Sequence, residues 1–225
     1  MRGYGCSTTR TETIGAETAP RSYPLSVLPA EAEIVELADR IVRAGFATRD
    51  EAVAEIVEVI GHDDPTPELL FCALEAVDRA MVAHDHEERL WGTTDNDRLA
   101  RAAMSLEANG ILFRQNFACC QNCGFQAVDA EVERAVASGQ PARGFVFFHW
   151  NDTERAVDGH GLALSYTAVG NLPTETMSEC ALAIATELVD VLGNEGLVPK
   201  WSGKLYHRVK VPMRWQRRRF TAPPE

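Results

Sequence analysis

The sequence predicts an α+β or α/β protein, in which a helical N-terminal unit precedes an α/β layer sandwich with a mixed sheet of about five strands. Three amphipathic helical patterns follow one another in the first 92 residues. Short apolar runs then alternate with helical patterns, which is typical of a sheet covered by helices. A chain of 225 residues, 45% of them hydrophobic, is large enough to bury such a core.

The same patterns divide the chain into four stretches. Residues 1–28 are rich in Thr, Ser, Ala and Gly and have no apolar core of a secretory signal, so we expect a disordered tail. Residues 29–92 form the helical unit, residues 93–219 the α/β domain with the cysteines, and residues 220–225 a second tail. No apolar run approaches the ~20 residues of a membrane-spanning helix. We therefore expect a cytoplasmic protein without a membrane partner.

Periodicity places the individual elements. Apolar residues at helical spacing predict helices at 31–44, 48–61, 67–90, 93–110, 119–137 and 174–196. Thr48 has the position of an N-cap in the second helix, Asp95 or Asn96 in the fourth, and a short capped turn is expected at 151–154. Apolar and alternating runs predict strands at 111–117, 145–150, 161–169, 197–201 and 205–213.

The most unusual feature is the stretch NFACCQNCGF, which holds Cys119, Cys120 and Cys123 between a predicted strand and a predicted helix. A helix N-terminus stabilises a thiolate through its partial positive charge and its free N–H groups. Thiols stay reduced in the cytoplasm, so clustered cysteines there indicate metal binding or redox chemistry more than a structural disulfide. A third interpretation is that the thiols only pack beneath the turn, because free Cys is among the most buried residue types.

A metal site, with zinc as the expected ion, needs a fourth ligand besides the three cysteines. About 25 residues, mostly helical, separate the first two predicted strands, and a connection of that length usually joins parallel strands. Parallel strands end at the same sheet edge, which brings His149 toward the cysteines, with Asp152 and Glu154 nearby. Because vicinal cysteines seldom both bind one metal without strain, an alternative ligand set is Cys120, Cys123 and His149 with one more group, for which His160 is the candidate.

The redox interpretation uses Cys120 as the nucleophile and Cys123 as the resolving thiol of a Cys-x-x-Cys pair. The dipeptide between them, Gln-Asn, contains no Pro, and the additional Cys119 is not needed for dithiol exchange. The sequence establishes neither a reaction nor a substrate. It contains no Gly-rich phosphate loop, no Gly-x-Ser-x-Gly and no His-Glu-x-x-His.

The charge of the chain and its distribution indicate which partners it can bind. The formal net charge of −11 argues against nucleic acid. Between Lys200 and Arg219, however, lie eight Lys or Arg and no Asp or Glu. We expect this basic end to lie against the protein's own acidic helices. The alternative is that it contacts a protein partner.

Several stretches together resemble an uncharacterised bacterial domain-of-unknown-function family, common in actinobacteria and some proteobacteria, over roughly residues 30–219. They are TDNDRL, LEANGI, FACCQNCG, GFVFFHWNDTERAV, GHGLALSY and WSGKLYHRV, in this order. The resemblance implies no activity. It draws attention to the following residues besides the cysteines: Gly124, His149, Asp152, Thr153, Glu154, Gly161, Tyr166, Trp201, Gly203 and Arg208. The chain differs from the family pattern at Asn96, where a Cys is expected, and at Ala163, where an aromatic residue is usual.

Overall fold

The structure is a computed structural model that describes residues 28–61, 66–170 and 173–219. The two predicted tails lie outside these residues, except that Leu28 already belongs to a helix. The elements are α1 (Leu28–Ala44), α2 (Arg49–Gly61), α3 (Pro67–Glu88), α4 (Asp95–Ala108), β1 (Ile111–Arg114), α5 (Gln121–Ala137), β2 (Gly144–Phe147), α6 (Trp150–Val157), β3 (Leu162–Ala168), α7 (Thr174–Asn194) and β4 (Val209–Val211).

The four strands form one mixed sheet in the order β1-β2-β3-β4. β1 and β2 are parallel, while β3 runs antiparallel to both β2 and β4. The predicted α+β class with a mixed sheet is confirmed, and so is the parallel pairing inferred from the length of the β1–β2 connection. Because β1 and β2 are parallel, the segments that follow them leave the sheet at the same edge.

The described residues contain four strands and not the five that were predicted. In the stretch 197–201, only Lys200 makes a bridge, to Lys210. Pro199 has no N–H to donate to a ladder, which explains why this stretch does not continue as a strand. The predicted strand 205–213 shortens to β4, because residues 201–208 form a loop and Pro212 ends the pairing.

Two helix caps differ from the predictions. Thr94, and not Asp95 or Asn96, caps α4 in a reciprocal capping box with Asp97. α6 begins at Trp150, so Asn151 lies inside the helix and not at its cap. His149 occupies the N-cap position in extended conformation, and its backbone N–H donates to Asp152 Oδ2 at 3.1 Å. At α2 the expected pair is present, since the backbone N–H of Thr48 donates to Glu51 Oε2 at 2.8 Å.

The hydrophobic core has three parts. α1, α2 and α3 share one cluster of buried residues that includes Ile56 and Val77. A larger cluster lies between the sheet and the helices α4, α6 and α7, and a third covers the opposite face of the sheet under α5. Phe46, in the turn between α1 and α2, packs against the larger cluster. The helical unit therefore contacts the sheet region through its own turn.

The basic end lies against the acidic helices, as expected, only over its last part, because Lys200, Lys204 and Lys210 are exposed. Its last part, residues 212–219, is called the C-terminal segment below. The Arg219 side chain contacts Asp85 at 2.9 Å, and the Arg219 backbone N–H donates to Glu88 Oε1 at 2.6 Å. Arg217 lies over the ring of Phe46 at 4.0 Å, and burial lowers the pKa of its guanidinium. The partner hypothesis required this end to be exposed, and these contacts argue against it.

Candidate functional site

The cysteine turn, residues 119–123, begins in a constrained loop after β1. Asn116 and Ala118 both have left-handed backbone conformations, with φ of 51° and 61°. Left-handed backbone is unfavourable for Ala, so neighbouring contacts must hold it. Phe117 N donates to Phe148 O at 2.8 Å, and Trp150 N donates to Ala118 O at 3.2 Å. The loop after β1 is thereby joined to the start of α6.

The three cysteines converge. Their sulfur atoms all lie within 4.8 Å of one another, and they form the one such metal-competent group found among the described residues. Cys119 is exposed, whereas Cys120 and Cys123 are half-buried. Cys120 occupies the N-cap position of α5. All five cysteines in the described ranges are free thiols.

The surroundings make the thiols of Cys120 and Cys123 differ in acidity. The backbone N–H of Cys123 faces Cys120 at the helix N-terminus and lowers the pKa of the Cys120 thiol, although no capping hydrogen bond of ordinary geometry forms. Hydrogen bonding to Cys119 and Cys120 raises the pKa of Cys123 to about 11. Cys120 is therefore the first of these two thiols to ionise.

A glycine allows α5 to approach the sheet directly behind the turn. A Cβ built on Gly124 would lie 2.3 Å from Cε2 of Phe147, the last residue of β2. The ring of Phe147 also contacts Phe125 edge-on, with 5.2 Å between the ring centroids. The Cys-x-x-Cys-Gly pattern therefore has a packing reason for its glycine, because only a residue without a side chain fits there.

A second polar cluster lies beside the turn, at the N-terminus of α6. Asp152 is 3% exposed, and both of its carboxylate oxygens accept hydrogen bonds from Arg208, one of them at 2.9 Å. His149 Nε2 lies 3.1 Å from Asp152 Oδ2. Burial lowers the pKa of His149, and the opposing effect of the Asp152 charge is smaller. The buried His149 Nδ1 has no hydrogen-bond partner among the described residues.

The other candidate residues lie outside these two clusters. Glu154 is exposed on α6. The pKa of Glu55 is raised mainly by burial and to a smaller extent by the negative charge of Glu154. His160 is exposed beyond the end of α6. Trp201 donates from Nε1 to His207 O at 2.9 Å and meets the ring of Tyr166 edge-on. These contacts give Trp201 a role in fixing the loop before β4.

The remaining positions that the resemblance marked have backbone or packing roles. Thr153 donates its hydroxyl to Asn116 Oδ1 at 2.7 Å and thus connects α6 to the loop after β1. Gly161 and Gly203 both have left-handed backbones, with φ of 71° and 73°. Asn96, where a Cys was expected, is buried, and its Oδ1 accepts a hydrogen bond from Gln216 N at 2.7 Å.

Comparison with known proteins places the chain in a family. A family model described as "Domain of unknown function (DUF6891)" matches residues 29–219. The chain belongs to this family. The expected membership of an uncharacterised domain family is thereby confirmed. No curated protein and no solved structure matches the chain, so the functional argument for this DUF6891 protein depends on the geometry of its own residues.

Sequence reasoning missed two features of this DUF6891 protein. Ser165 is 1% exposed, and its hydroxyl has no partner among the described residues. His84 on α3 is 4% exposed, and its Nε2 lies 3.1 Å from Arg217 O. A buried serine in an apolar strand was visible in the sequence, but its lack of a partner depends on the fold. Among the described helices, none combines the length and the apolar character needed to cross a membrane.

Proposed function

We propose that this DUF6891 protein binds a thiophilic metal ion, zinc, through Cys119, Cys120 and Cys123. The supporting observation is the convergence of three sulfur atoms within 4.8 Å. Three thiolates and one further group are a common ligand set for zinc. The free thiols in the described ranges agree with a reducing compartment, and we propose the cytoplasm.

Cys119 distinguishes a metal site from simple packing. Its side chain is exposed, so burial of apolar surface gives it no reason to face the other two thiols. A dithiol pair has no use for a third sulfur at this distance. A metal ion does, because each added thiolate contributes a bond to the ion.

His149 is the fourth ligand in this proposal. A histidine that binds metal through one ring nitrogen usually has its other nitrogen held by a carboxylate. His149 has this arrangement, with Nε2 at 3.1 Å from Asp152 Oδ2 and a buried Nδ1 without a partner among the described residues. His149 Nδ1 is not among the ligand atoms that lie within 4.8 Å of one another. Binding therefore requires the cysteine turn to move toward α6, whose Trp150 N donates to Ala118 O beside the turn.

Metal content of untagged protein tests the proposal. We expect one zinc per chain, with the turn thiols protected from alkylation, and loss of the metal in Cys120→Ser/Cys123→Ser. His149→Asn should weaken zinc binding by about tenfold or more in competition with a chromogenic chelator. Cys72→Ala and His86→Asn, which alter a thiol and an imidazole on α3, serve as controls. Absence of zinc after expression in zinc-supplemented medium, or equal zinc in the double variant, would contradict the proposal.

Thiol–disulfide exchange is the second candidate, favoured by the position of Cys120 at the N-cap of α5 with Cys123 one turn on. The Cys120 thiolate attacks one sulfur of a substrate disulfide and releases the other as a thiolate. Cys123 then loses its proton and attacks Cys120, which releases the substrate as a dithiol and leaves a Cys120–Cys123 disulfide. The substrate gains two electrons, and the protein loses two.

Redox titration in glutathione buffers separates this candidate from the metal site. The redox function predicts reversible loss of two thiols, a Cys120–Cys123 disulfide in the mass spectrum, and unchanged behaviour of Cys119→Ser. Cys123→Ser should accumulate a mixed disulfide on Cys120. Thiols that remain reduced across the titration would exclude the redox function and leave the metal site unaffected.

A further inference from the structure

The shortness of β4 leaves a cavity at the edge of β3. β4 pairs only with Leu162–Leu164 of β3, so the following β3 residues, 165–168, pair with β2 alone. The cavity, called the β3 cavity, has a volume of about 610 Å³ and lies beside this edge. Its walls come from the first turns of α5 and α7 and from the loop before β4, with Gln121, Phe125, Met177, Leu205 and Tyr206 among the lining residues.

The loop that closes the β3 cavity is held in place by several contacts. Tyr166 donates its hydroxyl to Lys204 O at 3.2 Å, and Ser202 Oγ lies 2.8 Å from His207 Nδ1. Trp201 bonds the same loop through His207 O. The cavity is therefore preformed, as small-molecule sites usually are, and its volume is within the range of such sites, roughly 300–1,000 Å³.

Two residues that line the β3 cavity each have a buried polar atom without a partner. Ser165 Oγ and Arg208 Nε are buried, and neither has a hydrogen-bond partner within the described ranges. Leu164 and Val209 form the last pair of the β3–β4 ladder, and Ser165 and Arg208 are the residues directly beyond this pair. An unsatisfied buried donor is costly. A bound acceptor group that reached these atoms would satisfy them.

The residues that line the cavity indicate which chemical class of ligand it binds. Arg208 and His207 are the basic residues of the cavity lining, and no Asp or Glu of the described ranges belongs to it. The two terminal nitrogens of Arg208 bind Asp152 and Ala163 O, and Nε is the guanidinium nitrogen without a partner among the described residues. The start of α5 adds the partial positive charge of a helix N-terminus. Much of the remaining lining is apolar or aromatic.

We infer that the β3 cavity binds a small amphipathic carboxylic acid, whose oxygen accepts from Ser165 Oγ and Arg208 Nε while its apolar body lies among Phe125, Met177 and Leu205. This site is separate from the sulfur atoms of the cysteine turn. It is adjacent to them through Gln121, which follows Cys120 in the chain. The inference does not depend on metal binding.

Octanoate and octylamine, two probes with the same body and opposite charge, test the inference on the full chain. Octanoate should displace the fluorescent anion 8-anilino-1-naphthalenesulfonate from one site per chain, and octylamine should be at least about tenfold weaker. Ser165→Ala should weaken octanoate binding by about fivefold, because it removes one hydrogen bond. Equal displacement by both probes would overturn the inference.

Two tryptophan variants show whether the probe occupies this cavity. Met177→Trp fills the β3 cavity and should reduce octanoate affinity by about tenfold or more. Met104→Trp, at an exposed position on α4, is the matched control and should leave affinity unchanged. Equal octanoate affinity in both variants would also overturn the inference. Cys120→Ser/Cys123→Ser should retain octanoate binding, so a failure of the metal proposal remains distinguishable.

Discussion

Among single residues, Asp152 joins the start of α6 to the loop before β4. Its carboxylate accepts from the backbone N–H of His149 at the start of α6 and from the side chain of Arg208 in the loop before β4. Arg208 in turn donates to Ala163 O of β3 at 2.6 Å. A carboxylate that is 3% exposed requires such partners, because burial of an unpaired charge is costly.

Removal of Arg208 should therefore destabilise the protein. We expect Arg208→Leu to lower the free energy of unfolding by about 3 kcal/mol, because it leaves Asp152 buried without its counter-charge. The double variant Asp152→Asn/Arg208→Leu should recover part of this loss. Urea denaturation gives both values. Arg155→Ala, at an exposed arginine of α6, is the control, and a loss in Arg208→Leu no larger than in this control would contradict the pairing.

The two half-buried thiols of the cysteine turn should react at different pH. In metal-free protein, Cys120 should alkylate at lower pH than an ordinary thiol, because its pKa is lowered, whereas Cys123 should react as the pH approaches about 11. Peptide mass spectrometry after iodoacetamide pulses from pH 6 to about 11 measures both. Faster modification of Cys123 than of Cys120 near neutral pH would show that the proposed order of acidity is wrong.

Residues of the site were predictable where a local pattern carried the information. Cys120 and Cys123 follow from their spacing, and the contact of the loop after β1 with the start of α6 follows from the parallel pairing of β1 and β2. The pairing of Asp152 with Arg208 was not predictable, because 56 positions separate them and no periodicity relates them. Which hydrogen bond each residue makes depends on the final packing of the loop before β4.

Among the elements, the contact of α5 with β2 depends on Gly124. Gly124→Ala should lower the free energy of unfolding by about 1–3 kcal/mol, since the added methyl group would overlap the ring of Phe147. Zinc occupancy should fall with it, because the cysteine turn begins the same helix. Gly193→Ala is the matched control in α7, where a Cβ meets nothing within 4 Å and where alanine favours the helix. Equal thermal stability of the two variants would contradict the packing argument.

The errors in element boundaries have identifiable physical causes. The alternation of Val209 and Val211 indicated a strand, but the preceding residues form a loop in which Tyr206 is left-handed with φ of 66°. At α6, the spacing of Asn151 and Glu154 satisfied a capping pattern, yet His149 takes the cap position because Asp152 accepts its N–H. Hydrophobic periodicity predicts that an element exists, while its ends depend on side-chain contacts that periodicity does not contain.

At the scale of the whole molecule, the C-terminal segment connects the helical unit to the sheet region. Trp215 is 7% exposed, and its ring contacts the rings of Phe148 and Phe46, with centroid distances of 6.0 and 6.3 Å. Its Nε1 donates to Arg43 O of α1 at 3.0 Å. The basic C-terminal segment lies along α3 and α4, so its positive charges partly balance the negative charges of these helices.

Loss of the Trp215 ring should uncouple the two regions. Trp215→Ala should lower the free energy of unfolding by about 3–5 kcal/mol. It should also leave the α1–α3 cluster joined to the sheet by fewer buried contacts. We expect wild-type protein to unfold in one transition, with far-UV circular dichroism and tryptophan fluorescence coincident, and the variant to unfold in two. Trp150→Ala, at a tryptophan that is 55% exposed, is the control and should keep one transition. A single coincident transition in Trp215→Ala would mean that the contact of Phe46 with the sheet core suffices to couple the regions.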